Sequence, residues 1–180
     1  MVNKSVYQII QYFKFLLKST NEHGVHSPFV YDLITKCFYD KANYPGYKTI
    51  IDYKAALLKN NNLIQVIDLG AGSQVMKQKE RSISKMAKNA GSTNKRAKLL
   101  YRLSNYFKPE NSLELGTSLG IATAALHLGN PQASITTIEG CPNISAFSKS
   151  NFEVFKLKKL RLLQVILMMK LNNLKPIVTI

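Results

Sequence analysis

The run Ser112-Leu-Glu-Leu-Gly-Thr-Ser-Leu-Gly-Ile-Ala122, followed by Ile135-Thr-Thr-Ile-Glu139, restricts what this chain can fold into more than any other segment. Pro109 and Asn111 punctuate the chain ahead of it, so Leu113 and Leu115 fit a short buried strand. Gly116 follows at once, where a missing Cβ permits a tight turn and close approach of the backbone to a ligand. Gly120 comes four residues on, where a helix must pack close to the strand it has just left. Ile121 to Leu128 is alanine-rich and helical in character, and Gly129-Asn130-Pro131 stops it. Ala133 to Ile138 is rich in β-branched residues and reads as the next strand. Strand, turn, helix and strand in that order make one unit of an open parallel α/β sheet.

Glu139 ends the second strand, 23 residues after Gly116. At that spacing a carboxylate accepts hydrogen bonds from ribose hydroxyls. The dinucleotide fingerprint has three glycines, and Ser118 holds the middle place here. That weakens NAD or FAD, whose pyrophosphate needs the closest backbone approach, and leaves a nucleoside without phosphate as the ligand class. The bland alternative is an ordinary βαβ crossover ending in a solvated acid.

These residues carry a family resemblance. Leu113-Glu-Leu-Gly-Thr-Ser-Leu-Gly-Ile-Ala-Thr-Ala-Ala125 resembles motif I of class I S-adenosylmethionine-dependent methyltransferases, and is most similar to O-methyltransferase-like members. Thr136-Thr-Ile-Glu-Gly140 resembles their second motif, and Glu22-His-Gly-Val-His-Ser-Pro-Phe-Val30 is similar to the start of small bacterial members. The resemblance covers roughly residues 20 to 158 at most. It implies an α/β, Rossmann-like class I methyltransferase fold with helical N-terminal additions, incomplete in this chain. It implies S-adenosyl-L-methionine as cofactor and a small-molecule methyl acceptor as partner, while Cys37 and Cys141, read as free thiols, fit a reducing cytoplasm. Cofactor contacts are then expected at Glu114, Gly116, Thr117, Ser118, Gly120 and Glu139. Glu139 would hold the ribose, Gly116 and Gly120 would border the methionine part, and Glu114 would help position the amino group. No catalytic residue and no metal ligand is identified.

Composition sets the competing readings. The formal charge of +15 suggests nucleic acid at first sight. Residues 77–102 hold nine Lys/Arg against Glu80, and residues 154–180 hold six with no acid. A solvated helical surface is the plainer reading of the first block, and a non-enzymatic, basic nucleic-acid-binding protein is the alternative. No segment reads as a spanning helix, and no membrane partner is expected. Cys37 and Cys141 fit no metal spacing, and Gly24 breaks the helix that would align His23 and His26 as ligands.

Residues 1–107 read as a mostly helical N-terminal region. Val6–Leu17, Phe29–Phe38 and Asp52–Lys59 have helical character, as do Ser82–Met86 and Lys95–Phe107. A glycine-rich loop at 68–73, Asp-Leu-Gly-Ala-Gly-Ser, lacks the strand and acid that a nucleotide fingerprint needs downstream, and reads as a structured loop near the pocket mouth. Residues 108–158 are the first half of the βαβ core. Residues 159–180 form an atypical tail with no acid and no glycine where a third strand and further pocket residues belong. One allowed codon choice from Leu160, read one base earlier, gives KIITGDFDDEIEQLKAYSD from its second codon on, with strand, turn and helix signals in the expected order. The tail therefore reads as out-of-frame text, and it leaves an apolar edge and face of the first core strand without cover.

Overall fold

A computed structural model describes residues 4–19, 22–67 and 79–164. The chain divides into two compact units, Met1–Lys41 and Ala42–Ile180.

In the first unit, α1 spans Lys4–Lys18, the stretch whose apolar residues recur at helical spacing. A 3-10 turn at Glu22–Gly24 interrupts the chain where Gly24 was expected to break it. Helix α2 (Pro28–Leu33) begins on Ser27, whose side chain accepts from the Val30 N–H at 3.4 Å, with Pro28 preset in the first turn. It runs into a π-helical turn at Ile34–Phe38. Among the side chains described in this unit, only that of Cys37 is buried.

The second unit opens with α3 (Gly46–Lys59), longer than the Asp52–Lys59 expected. Strands β1 (Leu63–Gln65) and β2 (Glu80–Ser82) then pair antiparallel. Three-residue strands show no readable alternation, so this pair escapes sequence reasoning. Ser82 accordingly ends a strand, and α4 (Ile83–Asn89) starts after it. Helix α5 (Asn94–Phe107) is capped by Thr93, whose side chain accepts from the Arg96 N–H at 3.2 Å. The glycine-rich loop at 68–73 lies outside the described residues.

The core sheet is parallel, ordered β3-β4-β5: β3 is Asn111–Leu115, β4 is Ser134–Glu139 and β5 is Leu160–Gln164. Helix α6 (Ile121–Gly129) connects the first pair and α7 (Pro142–Val154) the second. The α/β, Rossmann-like reading thus stands on the topology itself. Strand β5 shows that the chain stays in the sheet to Gln164, registered Ile135↔Leu160 through Glu139↔Gln164. Residues 165–180 lie outside the described part.

The core lies on one face of this sheet. Ile135 and Thr137 are fully buried, and the small side chains of Thr123, Ala124 and Ala125 let α6 approach closely. Tyr53, Leu57, Ile83, Met86, Ala97, Leu119 and Phe152 complete the cluster from the surrounding elements. Leu113 and Leu115 correct the expectation of a buried strand: they are 64% and 63% exposed. Side chains alternate across a sheet, and β3 is an edge strand. Glu114 therefore faces the helices while its two apolar neighbours point to the opposite side of the sheet, where Leu115 is exposed and its cross-strand partner Ile138 is buried.

Candidate functional site

The carboxyl ends of β3 and β4 meet at one rim. The Gly116 and Thr117 N–H groups both donate to the Ile138 carbonyl, at 2.9 and 3.1 Å, which carries the chain off β3 and over the end of β4. Gly116 has φ +93, a conformation that suits glycine, and a Cβ added there would meet nothing within 4 Å. The outer side of the bend is therefore open to a ligand. Gly120 is required for a different reason. It has φ +75 and starts α6, and a Cβ there would lie 2.4 Å from Phe152 Cε1 and 2.7 Å from the Tyr53 hydroxyl.

Glu139 joins the bend to the next helix. Its Oε2 accepts from the Ser118 N–H at 2.8 Å, and its Oε1 accepts from the Cys141 N–H at 2.9 Å, at the start of α7. Both are charge-assisted bonds between a carboxylate and backbone donors. Each oxygen has a second lone pair, so the carboxylate can also accept from two vicinal hydroxyls. Gly116, Ser118 and Glu139 thus share one rim, with the peptide of Ser118 facing the acid that ends the second strand.

The other expected residues sit deeper. Thr117 is buried, and its hydroxyl pairs with that of Thr137 at 2.6 Å. Glu114 Oε2 accepts from the Thr123 hydroxyl at 2.5 Å and the Thr137 hydroxyl at 2.7 Å, beneath the bend. Burial raises the Glu114 carboxyl above its ordinary range, while those two hydroxyl bonds pull it back down. Glu114 and Thr117 are members of a polar layer under the loop, and Gly116, Ser118 and Glu139 form its outer rim.

Sequence reasoning missed the residues that hold the loop from behind. Ser148 of α7 donates to the Ser118 carbonyl at 2.5 Å, and Tyr53 of α3 donates to the Leu119 carbonyl at 2.9 Å. Burial pushes the Tyr53 phenol up, so it remains a neutral donor. Ser145 and Ser148, three apart on α7, were the available signal for a polar stripe on a buried helix face. Tyr53 is 66 residues from its partner and carried no signal at all. Cys141 is buried too: the Ile67 N–H donates to its sulfur at 3.3 Å, and Asn143 Nδ2 donates to the Gln65 carbonyl at 2.9 Å. These contacts bring the end of β1 to the start of α7, beside the Glu139 rim.

His127 is buried in α6 with Nδ1 unpartnered, and burial lowers its pKa, with Lys159 acting in the same direction. It lies on the helix that leaves the loop, away from the rim. His26 is exposed. Among the described residues no three His, Cys, Asp or Glu side chains are grouped as a metal site would need. A hollow of about 330 Å³ between α7 and β5, bordered by Phe152, Leu157, Leu160 and Leu162, includes neither Gly116 nor Glu139.

No family model matches the sequence, and neither does any curated protein. The chain trace is similar to solved structures of methyltransferases. An SAH-bound methyltransferase from Podospora anserina matches with a TM-score of 0.48 at 15% identity, covering 82% of this chain and 52% of that one. An O-methyltransferase from Bacillus cereus in complex with SAH matches with a TM-score of 0.41 at 16% identity, covering 74% and 48%. The chain spans about half the length of the solved structures it matches.

Proposed function

We propose that this chain carries the nucleoside-binding half of a class I S-adenosylmethionine-dependent methyltransferase. The observation that carries the reading is the Glu139 carboxylate, bonded at once to the Ser118 N–H of the glycine bend and the Cys141 N–H of α7. Glu139 would take the ribose hydroxyls. The open outer side of Gly116 would let the rest of the cofactor lie against backbone. Gly120 keeps α6 close behind the loop, while Ser148 and Tyr53 hold its carbonyls inward. Bound there, the cofactor supplies a sulfonium methyl to a nucleophilic oxygen or nitrogen. The protein's own contribution is alignment, since proximity and orientation account for much of the rate in such transfers.

O-methyl transfer to a small molecule is the finer reading. It rests on the style of Glu114-Leu-Gly-Thr-Ser-Leu-Gly120. The nucleic-acid alternative draws less support. Within the basic block, Lys98 sits 4.8 Å from the centre of the Tyr47 ring and Arg102 donates to the Tyr47 hydroxyl at 3.1 Å, so both charges serve packing.

Thermal unfolding with S-adenosylhomocysteine tests the reading. At about one hundred times Kd the ligand should add about 2.7 kcal/mol of stability, a rise of about 5–10 °C in Tm. Glu139→Gln should weaken binding by about tenfold or more, since it removes a charged acceptor from two donors and the ribose. A wild-type chain that S-adenosylhomocysteine leaves unshifted refutes the assignment.

A further inference from the structure

Helix α1 carries a surface that the methyltransferase reading does not use. At 100° per residue, Val6, Ile9, Ile10, Phe13, Leu16 and Leu17 fall on one side of it, while Gln8, Gln11, Lys14 and Lys18 fall on the other. The six apolar residues are between 44% and 86% exposed. No acid occurs anywhere in Lys4–Lys18. Tyr12 lies at the boundary between the two sides, where a ring with one wet and one apolar end settles at a water–hydrocarbon interface, while Tyr7 falls between Lys14 and Lys18 and Phe15 between Gln11 and Gln8 on the polar side.

We infer that α1 is a docking helix for an anionic membrane surface, lying in the plane of the interface with Phe13 and its apolar neighbours inserted. Two observations choose this occupant. The first is charge: the polar side offers lysine and no acid, which complements anionic headgroups, and the whole chain is strongly positive. The second is area. A helix of this length is about 22 Å long, so its apolar side paired with a second copy would bury roughly 500 Å², below the roughly 1,200 Å² of a stable protein interface. An interfacial helix has no such minimum, because lipid covers the apolar side completely and the polar side stays wet. No helix among the described residues is long and apolar enough to cross a membrane, and a helix in the plane needs no such length.

Co-sedimentation of the full chain with vesicles decides it, comparing phosphatidylcholine alone with vesicles containing about 30% phosphatidylserine. The chain should partition onto the anionic vesicles at least about tenfold better than onto neutral ones, and about 0.5 M NaCl should remove most of that preference. Ile9→Asp with Phe13→Asp should reduce binding about tenfold or more. Leu17→Asp alone, at the most exposed of the six positions, should reduce it several-fold, and circular dichroism should show both variants folded. Lys14→Gln with Lys18→Gln should weaken anionic binding about fivefold per lysine. Leu171→Asp with Leu174→Asp, in the apolar and basic tail, should leave it unchanged. The inference is overturned if the wild-type chain ignores anionic vesicles, if the α1 variants bind as well as wild type, or if the tail variant abolishes binding. It is equally overturned if the chain is a dimer that the α1 variants dissociate and that binds no vesicle.

Discussion

Helices α1 and α6 are both rich in apolar residues, and they have opposite surroundings. In α6, Thr123, Ala124 and Ala125 are almost fully covered, and the helix is tied at its start by the loop that leaves β3 and at its end by the approach to β4. In α1, aromatic and long aliphatic side chains stand exposed along the whole helix. The difference is one of size and tether. Small residues let a helix backbone close on a sheet, and a short crossover forces it there. Bulky residues spaced along a helix specify that one side needs cover, and nothing in the spacing says what supplies it. The edge strand repeats the contrast: Glu114 faces the helices among threonines, while Leu113 and Leu115 on the same strand stand exposed on its other side.

The largest expected effect attacks the tight side of the comparison. Gly120→Ala places a Cβ against Phe152 and the Tyr53 hydroxyl at a left-handed φ, and should cost about 2–4 kcal/mol in urea unfolding. A loss under about 0.5 kcal/mol would mean that α6 does not press on α7 and α3 as described. Next comes a paired truncation. Ile135→Ala in the covered sheet face should cost about 2–5 kcal/mol, and Phe13→Ala in α1 should stay within about 0.5 kcal/mol. Equal losses would erase the distinction between the two helices.

The smallest effect is a pH dependence. Burial is the main cause that raises the Glu114 carboxyl above 4.5 in the folded protein. An acid with a raised folded pKa destabilises the fold while ionised, and that penalty shrinks as pH falls through the folded pKa and is gone below the unfolded one. Wild type should therefore gain stability relative to Glu114→Gln as pH drops from about 7 toward the ordinary carboxylate range. Unfolding free energies of the two proteins that run parallel across this window would show that Glu114 is solvated, and not part of the covered layer.

Much of the rim was legible because its signals are local. A glycine bend, an alanine-rich helix and an acid after β-branched residues each follow from neighbours a few places apart, and α6 and β4 begin within a residue of where those signals put them. Gly120 was expected where a helix packs on the strand it has just left, and the neighbours that crowd it are instead Phe152 of α7 and Tyr53 of α3. Tyr53 and Ser148 were not legible as loop anchors, since their partners lie 66 and 30 residues away. The β1–β2 pair failed for want of length, and Leu113 and Leu115 failed because apolarity marks a strand without saying which of its sides is covered. Resequencing the gene tests the reading of residues 159–180 as out-of-frame text: an intact frame would overturn it.

By itself the sequence determined the order strand, bend, helix, strand and acid, because backbone propensity and side-chain period act over short range. Tertiary structure alone decided which of those groups stand at the open rim of the bend. Glu114 and Glu139 are both acids at strand ends, yet one is turned under the loop onto Thr123 and Thr137 while the other stands at the rim on the Ser118 and Cys141 N–H groups. Side chains alternate across a sheet, and only the helices packed on one face determine which of its two sides is wet.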